Sequence, residues 1–384
     1  RRLISLCCNC IHHRQSNEEE TERPGTFRSF LFVSSLTQKS PSLIVLQSEM
    51  FLVRPTAVAP SRSLSSLSSK FSRLTTSILS VTSTVSTAAF FTTTTAPITM
   101  SKAEYIPPSL SAIKPTSVLV PPGRCQFSDE WTSVELLERI EVSSTSSVLR
   151  FSLPDKDKPM NLSTCACILA KATLPKPDAP EETEDVVRPY TPISTNELKG
   201  CFDLLIKDYG ETGRMSHHVC STLKVGGSLD FKHIEFNVKI QAPFKPKTIV
   251  MLVGGTGITP MVQALHAILG DPESKNNVVM LYGSQVSTDI LGRAMVDQWA
   301  KDYPDRFKVI HTLSNEPEDS TWTGRRGFID KSLIEEYAPE PSVGDDVMFF
   351  VCGPPPMYNA LCGPRGEPEI KGLLKDLGYN DKQV

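Results

Sequence analysis

The stretch that most constrains this chain is residues 249–261, which read IVMLVGGTGITPM. Five apolar residues are long enough for a buried strand and too few for a buried helix, and they run straight into glycines. Gly254, Gly255 and Gly257 carry no Cβ, so the backbone can take unusual φ values and a ligand's phosphates can lie against the N–H groups. Thr259 is placed to cap a helix whose first residue is Pro260, where a missing N–H costs nothing. Met261, Leu265 and Ile268 follow at helical spacing, and Gly270 ends the run. A strand, a glycine turn and a helix start in that order make either an anion site, typically for a nucleotide phosphate, or a plain tight turn, and these residues alone leave both open. The spacing is not GxGxxG, so the ordinary dinucleotide fingerprint is not matched.

From Pro246 onward strand-like and helical segments alternate. Strands are expected over 249–253, 278–282, 307–312 and 347–351, with helices over 260–269, 291–301 and 330–337. That alternation is the signature of an α/β doubly wound parallel sheet, with its ligand crevice beyond the carboxyl ends of the strands. The glycine turn stands at one such end and Cys352-Gly353-Pro354-Pro355-Pro356-Met357 at another.

Ahead of it, short β-branched and apolar runs are expected as strands over 134–153, 165–172, 201–208 and 228–232. Residues 175–185, rich in proline and acid, read as an exposed loop. Several short strands with no long helix argue for a small antiparallel β-barrel. The division expected is an N-terminal region over 1–125, the barrel over 126–243 and the α/β domain over 244–384, with the folded part starting near Gln126. From Met50 to Glu104 basic residues stand among serines and threonines with no acid between them, which is the composition of an organelle transit peptide or of a disordered Ser/Thr linker. Leu64, Leu67, Phe71 and Leu74, with Lys70 and Arg73 between, can form one amphipathic face and favour mitochondrial import over a plastid or a cytosolic membrane surface.

A net charge of −3 gives no reason to expect nucleic acid, and no run reaches the eighteen or so apolar residues of a membrane span, so any membrane contact is expected to be peripheral. The ten cysteines form no regular framework, which fits reduced thiols. Cys7, Cys8 and Cys10 beside His12 and His13 are poorly spaced for zinc, and no metal site is expected.

Two further motifs hold chemistry. In Arg188-Pro189-Tyr190-Thr191 an arginine fork can grip a phosphate, and a tyrosine two positions on faces the same side and can lie against a flat ring. Gly213-Arg214-Met215-Ser216 is a glycine turn at a helix start whose N–H groups suit a pyrophosphate. Each alone is weak: RPYT is commonly surface strand, and the adjacent His217 and His218 point apart on a helix and read as surface residues.

RPYT, GRMS, GGTGITPM and CGPPPM, in this order and at these intervals, closely resemble the NADH-cytochrome b5 reductase family of ferredoxin reductase-like flavoenzymes, over roughly residues 126–384. The resemblance implies a barrel that binds FAD and an α/β domain that binds NADH, or NADPH. Arg188 would hold the FAD pyrophosphate, Pro189 and Tyr190 would border the flavin, and Thr191 would bond its ring. Leu205, Lys207 and Tyr209 match positions that contact FAD; Gly213, Arg214, Met215 and Ser216 match its phosphate loop, where lysine is commoner than Arg214. Thr259 would approach the flavin. Gly255, Thr256, Gly257 and the segment Cys352, Gly353, Pro354, Pro355 and Met357 would hold the nicotinamide cofactor, with Cys352 near its reacting ring.

On that resemblance a hydride passes from nicotinamide to flavin N5, and electrons leave singly for cytochrome b5 or another one-electron haem acceptor. A monomer is expected. The alternatives are an NADPH-using flavoreductase with a different acceptor and a non-catalytic nucleotide-binding module. Two departures stand out. Where the family has a glycine turn before Ile168, this chain has Asn161-Leu162-Ser163-Thr164-Cys165, and where family chains close on an aromatic residue this one reads to Val384, as if a short piece were missing. NADH-specific members tend to carry an aspartate where Ser314 stands, with Arg325 and Arg326 a short loop away, so weak discrimination is expected.

Overall fold

The computed structural model describes residues 112–234, 238 and 240–384. The expectations on the acid-poor segment and on Cys7, Cys8, Cys10, His12 and His13 lie outside the described residues.

Six strands pair antiparallel: β1 (Thr132–Ser143), β2 (Ser146–Ser152), β3 (Ile168–Pro175), β4 (Thr183–Tyr190), β5 (Cys201–Lys207) and β6 (Ser228–His233), in the order β4-β3-β6-β1-β2-β5. The two ends of that order meet. Just past β4 the Ile193 N–H donates to the Asp203 carbonyl of β5 at 2.9 Å, and the Asp203 N–H donates to Ser194 Oγ at 2.9 Å. The sheet thus curls around Phe127, Phe151, Phe202 and Phe231, whose neighbouring ring centroids stand 5.0 to 5.8 Å apart. β4 starts inside the segment expected as acidic loop. It is the end strand of the order, its acidic residues Glu184 and Asp185 are exposed, and Asp185 accepts from Thr173 Oγ1 at 2.7 Å across the pair. The missing glycine turn is also accounted for: Asn161 and Cys165 themselves take left-handed backbone, at φ 57° and 64°. Asparagine tolerates that region and cysteine does so under strain, held by Cys165 Sγ donating to the Pro260 carbonyl at 3.3 Å.

After the short α1 (Arg214–His217), the second sheet is parallel throughout: β7 (Thr248–Gly254), β8 (Asn277–Ser284), β9 (Phe307–Leu313), β10 (Arg325–Arg326) and β11 (Val347–Cys352), in the order β10-β9-β8-β7-β11. Alternate residues of β7 serve opposite cores. Ile249, Met251 and Val253 pack with α2 (Ile258–Leu269) and α3 (Arg293–Asp302). Val250 and Leu252 pack with α4 (Lys331–Tyr337), α5 (Pro355–Cys362) and α6 (Leu373–Asp376). Met261, Leu265 and Ile268 are all buried on α2.

Two expectations are corrected. Helix α2 begins at Ile258 with Gly257 in the cap position, and the Thr259 hydroxyl donates to the Thr256 carbonyl at 3.3 Å instead of capping. The tight turn Gly255–Gly257 winds directly into the helix, so the helix is under way before Thr259 is reached. The folded part also starts ahead of Gln126. Trp299 Nε1–H donates to the Ile113 carbonyl at 2.6 Å, and the Thr116 N–H donates to His266 Nδ1 at 3.0 Å. Asn196, beyond β4, donates to the Val118 carbonyl at 3.2 Å. These are bonds to the strap's backbone, which leave little trace in its side chains. The trace is on the partner: a Cβ at Gly270 would stand 2.5 Å from the Ser117 nitrogen.

Candidate functional site

The carboxyl edge of the parallel sheet collects the nucleotide motifs by register alone. Cys352 pairs with Val253 and Gly283 with Gly254, so the glycine turn lies between the start of the CGPPPM segment and the end of β8. Ser314, just past β9, is two strands from β7, about 10 Å away at ordinary strand spacing. The turn is filled from behind: a Cβ on Gly257 would meet the Cys352 carbonyl oxygen at 2.1 Å, and one on Gly254 would meet Met357 Sδ at 2.6 Å and Pro354 Cδ at 2.8 Å. In front it is open. Gly255 has φ 50° and nothing within 4 Å of where a Cβ would be. A cradle closed behind by small, rigid residues and open in front fits a dinucleotide phosphate. Pro355 is the first residue of α5, where its missing N–H is harmless.

Tyr282 anchors the turn, its single hydroxyl proton shared between the Leu291 carbonyl at 2.9 Å and the Gly255 carbonyl at 3.1 Å. Burial pushes its phenol far up, so it stays a donor. Thr259 and Cys352 are both buried at this edge.

On the curled sheet, Arg188 and Tyr190 lie on one face of β4 and Thr191 is buried just beyond it. Arg188 is exposed, and among the described residues its guanidinium bonds only the neighbouring Val187 carbonyl, at 2.8 Å, which leaves donors for a phosphate. Its phosphate-loop companion is placed differently. Arg214 pairs with Glu184 of β4 and donates to the Pro175 carbonyl at 2.7 Å, tying the loop to the edge strand. Met215 is in the core of the curled sheet, and Ser216 Oγ donates to the Gly213 carbonyl at 2.9 Å.

Leu205 and Lys207 share the face of β5 that meets the parallel-sheet half. A Cβ on Gly292 would stand 3.6 Å from Leu205 Cδ2, and the Lys207 ammonium pairs with Asp289. Tyr209 is 47% exposed, with Lys207 Nζ 5.4 Å from its ring centre. Ser314 Oγ makes a long bond to the Ser284 carbonyl, at 3.4 Å. Neither nearby arginine is held in reserve. Arg325 pairs with Asp330 and Glu336, while Arg326 donates to the carbonyls of Glu316 at 2.8 Å and Pro317 at 3.1 Å.

Two side chains at the junction escaped the sequence reading. Gln263 of α2 donates to the carbonyls of Pro192 at 2.7 Å and Ser194 at 2.6 Å, locking α2 to the stretch that follows RPYT. Glu316 accepts from the Ser287 N–H at 2.6 Å and its hydroxyl at 2.7 Å, and the backbone bond holds its carboxyl below the usual range. A polar residue inside an amphipathic helix, or an acid in a loop, has no spacing to mark it.

Comparison with known proteins follows the same division. Residues 133–237 match the oxidoreductase FAD-binding domain family and residues 251–363 the oxidoreductase NAD-binding domain family. NADH-cytochrome b5 reductase 2 of Yarrowia lipolytica is 38% identical over 260 residues, covering 67% of this chain and 85% of that protein. The Scheffersomyces stipitis protein of the same name is 36% identical over 260 residues, covering 67% and 83%. Among solved structures, the cytochrome b5 reductase domain of Ulva prolifera nitrate reductase superposes with a TM-score of 0.56 at 29% identity, covering 68% of this chain and 96% of that one.

Proposed function

The chain belongs to the NADH-cytochrome b5 reductase family, and we propose that it passes electrons from NADH, through FAD, to cytochrome b5 or a similar one-electron haem protein. It is a flavin oxidoreductase whose cofactors are FAD and NADH. The observation that supports the reading is the glycine turn backed by Cys352, Pro354 and Met357 and open at Gly255, at a crevice edge beside a second sheet that offers Arg188. The chemistry such a cofactor pair supplies is hydride transfer from nicotinamide to flavin N5, with single-electron delivery to a haem acceptor.

The protein's share is binding, orientation and exclusion of water. Arg188 offers its fork to the flavin pyrophosphate, with Pro189, Tyr190 and Thr191 along the ring. The backbone N–H groups of Arg214, Met215 and Ser216, at the start of α1, would face the same phosphates; the Gly213 N–H is spent on the Gly210 carbonyl, so Gly213 serves the turn, and the Arg214 side chain fixes the loop through Glu184. Gly255, Thr256 and Gly257 present N–H groups to the nicotinamide cofactor's phosphates. Cys352 and Thr259, buried at the edge, shape the place where the nicotinamide meets the flavin. We take 126–243 as the FAD domain and 244–384 as the nucleotide domain, the protein as a monomer with at most peripheral membrane contact, and its site as the mitochondrion. The deciding experiment is the absorption spectrum of the purified protein, followed by anaerobic NADH. A yellow protein whose flavin band bleaches is expected; a colourless one, or a band unmoved by NADH, removes the reading.

A further inference from the structure

The ion pair between Lys207 and Asp289 joins the two sheets. Lys207 ends β5, and Asp289 lies in the turn Ser287–Asp289 that follows β8. Both side chains are largely shielded, at 17% and 14% exposure. The second carboxylate oxygen is also taken: Thr145, in the turn between β1 and β2, donates its hydroxyl to Asp289 Oδ1 at 3.1 Å, and its carbonyl accepts from the Asp208 N–H at 2.7 Å. One carboxylate of the nucleotide half thus holds a strand end and a hairpin of the other.

Beside this contact a groove of about 520 Å³ is lined by Val142 and Ser143 of the hairpin and by Ile290, Leu291 and Arg293. Ser146 at its edge is buried, its hydroxyl without a partner among the described residues. Here the ion pair adds charge to the apolar packing of Leu205 and Val148 with Ile290 and Leu291. A shielded ammonium is also much less screened than a surface one, so its compensation governs the field at the end of β5.

We propose that Asp289 is the positioning residue for Lys207, aligning the nucleotide half on the hairpin and cancelling the lysine's charge where the flavin and nicotinamide meet. The placement of the flavin beside Lys207 rests on the function proposed above. An uncompensated ammonium there favours the reduced, more anionic flavin, and its attraction for the anionic nucleotide is lost as salt is added.

The test compares the FAD-loaded wild type with Asp289→Asn, Asp289→Glu and the double variant Lys207→Met/Asp289→Asn, reading the flavin midpoint potential and the salt dependence of the NADH KM. Asp289→Asn is expected to move the potential positive and to steepen the salt dependence. Asp289→Glu returns both toward wild type, and so does the double variant, because it removes the charge and its counter-charge together. A merely structural Asp289 would leave the double variant at least as perturbed as the single one, and that result overturns the proposal. So does a flavin-loaded Asp289→Asn protein with the wild-type potential. Failure of every form, wild type included, to hold FAD would instead defeat the parent reading.

Discussion

Gly257 lies directly beneath Cys352: a Cβ on the glycine would stand 2.1 Å from the cysteine's carbonyl oxygen. The obstacle is strand-end backbone, which cannot rotate away like the tip of a side chain. Gly257→Ala should therefore act on the fold, at about 1–3 kcal/mol, the usual cost of overpacking. Gly255→Ala meets no atom and has only its φ of 50° to bear, so it should cost about 1–2 kcal/mol and act mainly by closing the open face of the cradle. Urea unfolding and NADH titration of the two variants separate these effects. A Gly257→Ala protein as stable as wild type would show that the turn is not packed this way.

Arg188 is exposed and, among the described residues, bound only to its neighbour's carbonyl, unlike Arg214 with its acidic partner. Removing it should leave the protein's own contacts nearly intact while deleting a charge-assisted grip on phosphate. Arg188→Ala is expected to lose FAD on dilution, with FAD affinity down on the order of tenfold to a hundredfold and NADH-domain folding unchanged. Equilibrium dialysis against FAD measures it, and full flavin occupancy in the variant would defeat the assignment.

How much of this was legible beforehand depended on whether a residue's job is done by its own kind or by its place. The glycine turn, CGPPPM and RPYT are each ambiguous alone and become legible by their order and intervals, because the jobs they do suit glycine, proline or arginine; the buried strands around them follow from apolar runs. The start of α2 was misplaced because Thr259 resembles a cap, and only the winding of Gly255–Gly257 shows that none is needed. The contacts of Lys207 with Asp289 and of Gln263 with Pro192 join residues 82 and 71 positions apart, and no spacing rule connects them. The strap at 112–125 was missed because its bonds are backbone bonds.

That strap supplies a pH prediction. His266 Nδ1 accepts the Thr116 N–H, its ring lies edge-on to Trp299 at 4.9 Å, and burial pushes its pKa down to about 4. A free histidine titrates near 6.5, so between about 6.5 and 4 the unfolded chain binds a proton that the folded one refuses. Stability is full above that window and falls as pH drops through it, by on the order of 3 kcal/mol. Protonating Nδ1 would also break the bond to Thr116. Urea midpoints at pH 7 and pH 4.5 should differ more in the wild type than in His266→Gln, which keeps an acceptor without the titration. Equal pH dependence in the two proteins would place the acid sensitivity elsewhere.

Import is tested by truncation. If the acid-poor segment is a presequence, a chain beginning at Met100 keeps the strap, binds FAD as the full chain does and stays in the cytosol of cells expressing it. Arrival of that shortened chain in mitochondria would refute the proposal.

If cofactor choice is made just past β9, Ser314 is the residue placed to make it. Its hydroxyl neither repels a 2′-phosphate nor matches a carboxylate as acceptor for ribose hydroxyls, and its own bond to the Ser284 carbonyl is long, at 3.4 Å. A 2′-phosphate would need a cation, and the sequence offers Arg325 and Arg326. Arg325 is engaged by Asp330 and Glu336, and Arg326 is bonded to the carbonyls of Glu316 and Pro317, so recruiting either means breaking contacts that order the loop. The balance favours NADH, but without the repulsion an aspartate would add, so discrimination in the wild type should be about tenfold, or about 1.4 kcal/mol. Ser314→Asp should then depress NADPH turnover while sparing NADH, read as the ratio of the two kcat/KM values. Arg326→Ala should not lower NADPH use selectively, since that side chain is spent on its own loop. A wild type that already prefers NADH by several hundredfold, or a ratio that Ser314→Asp leaves in place, would mean that selection is made by a group other than Ser314.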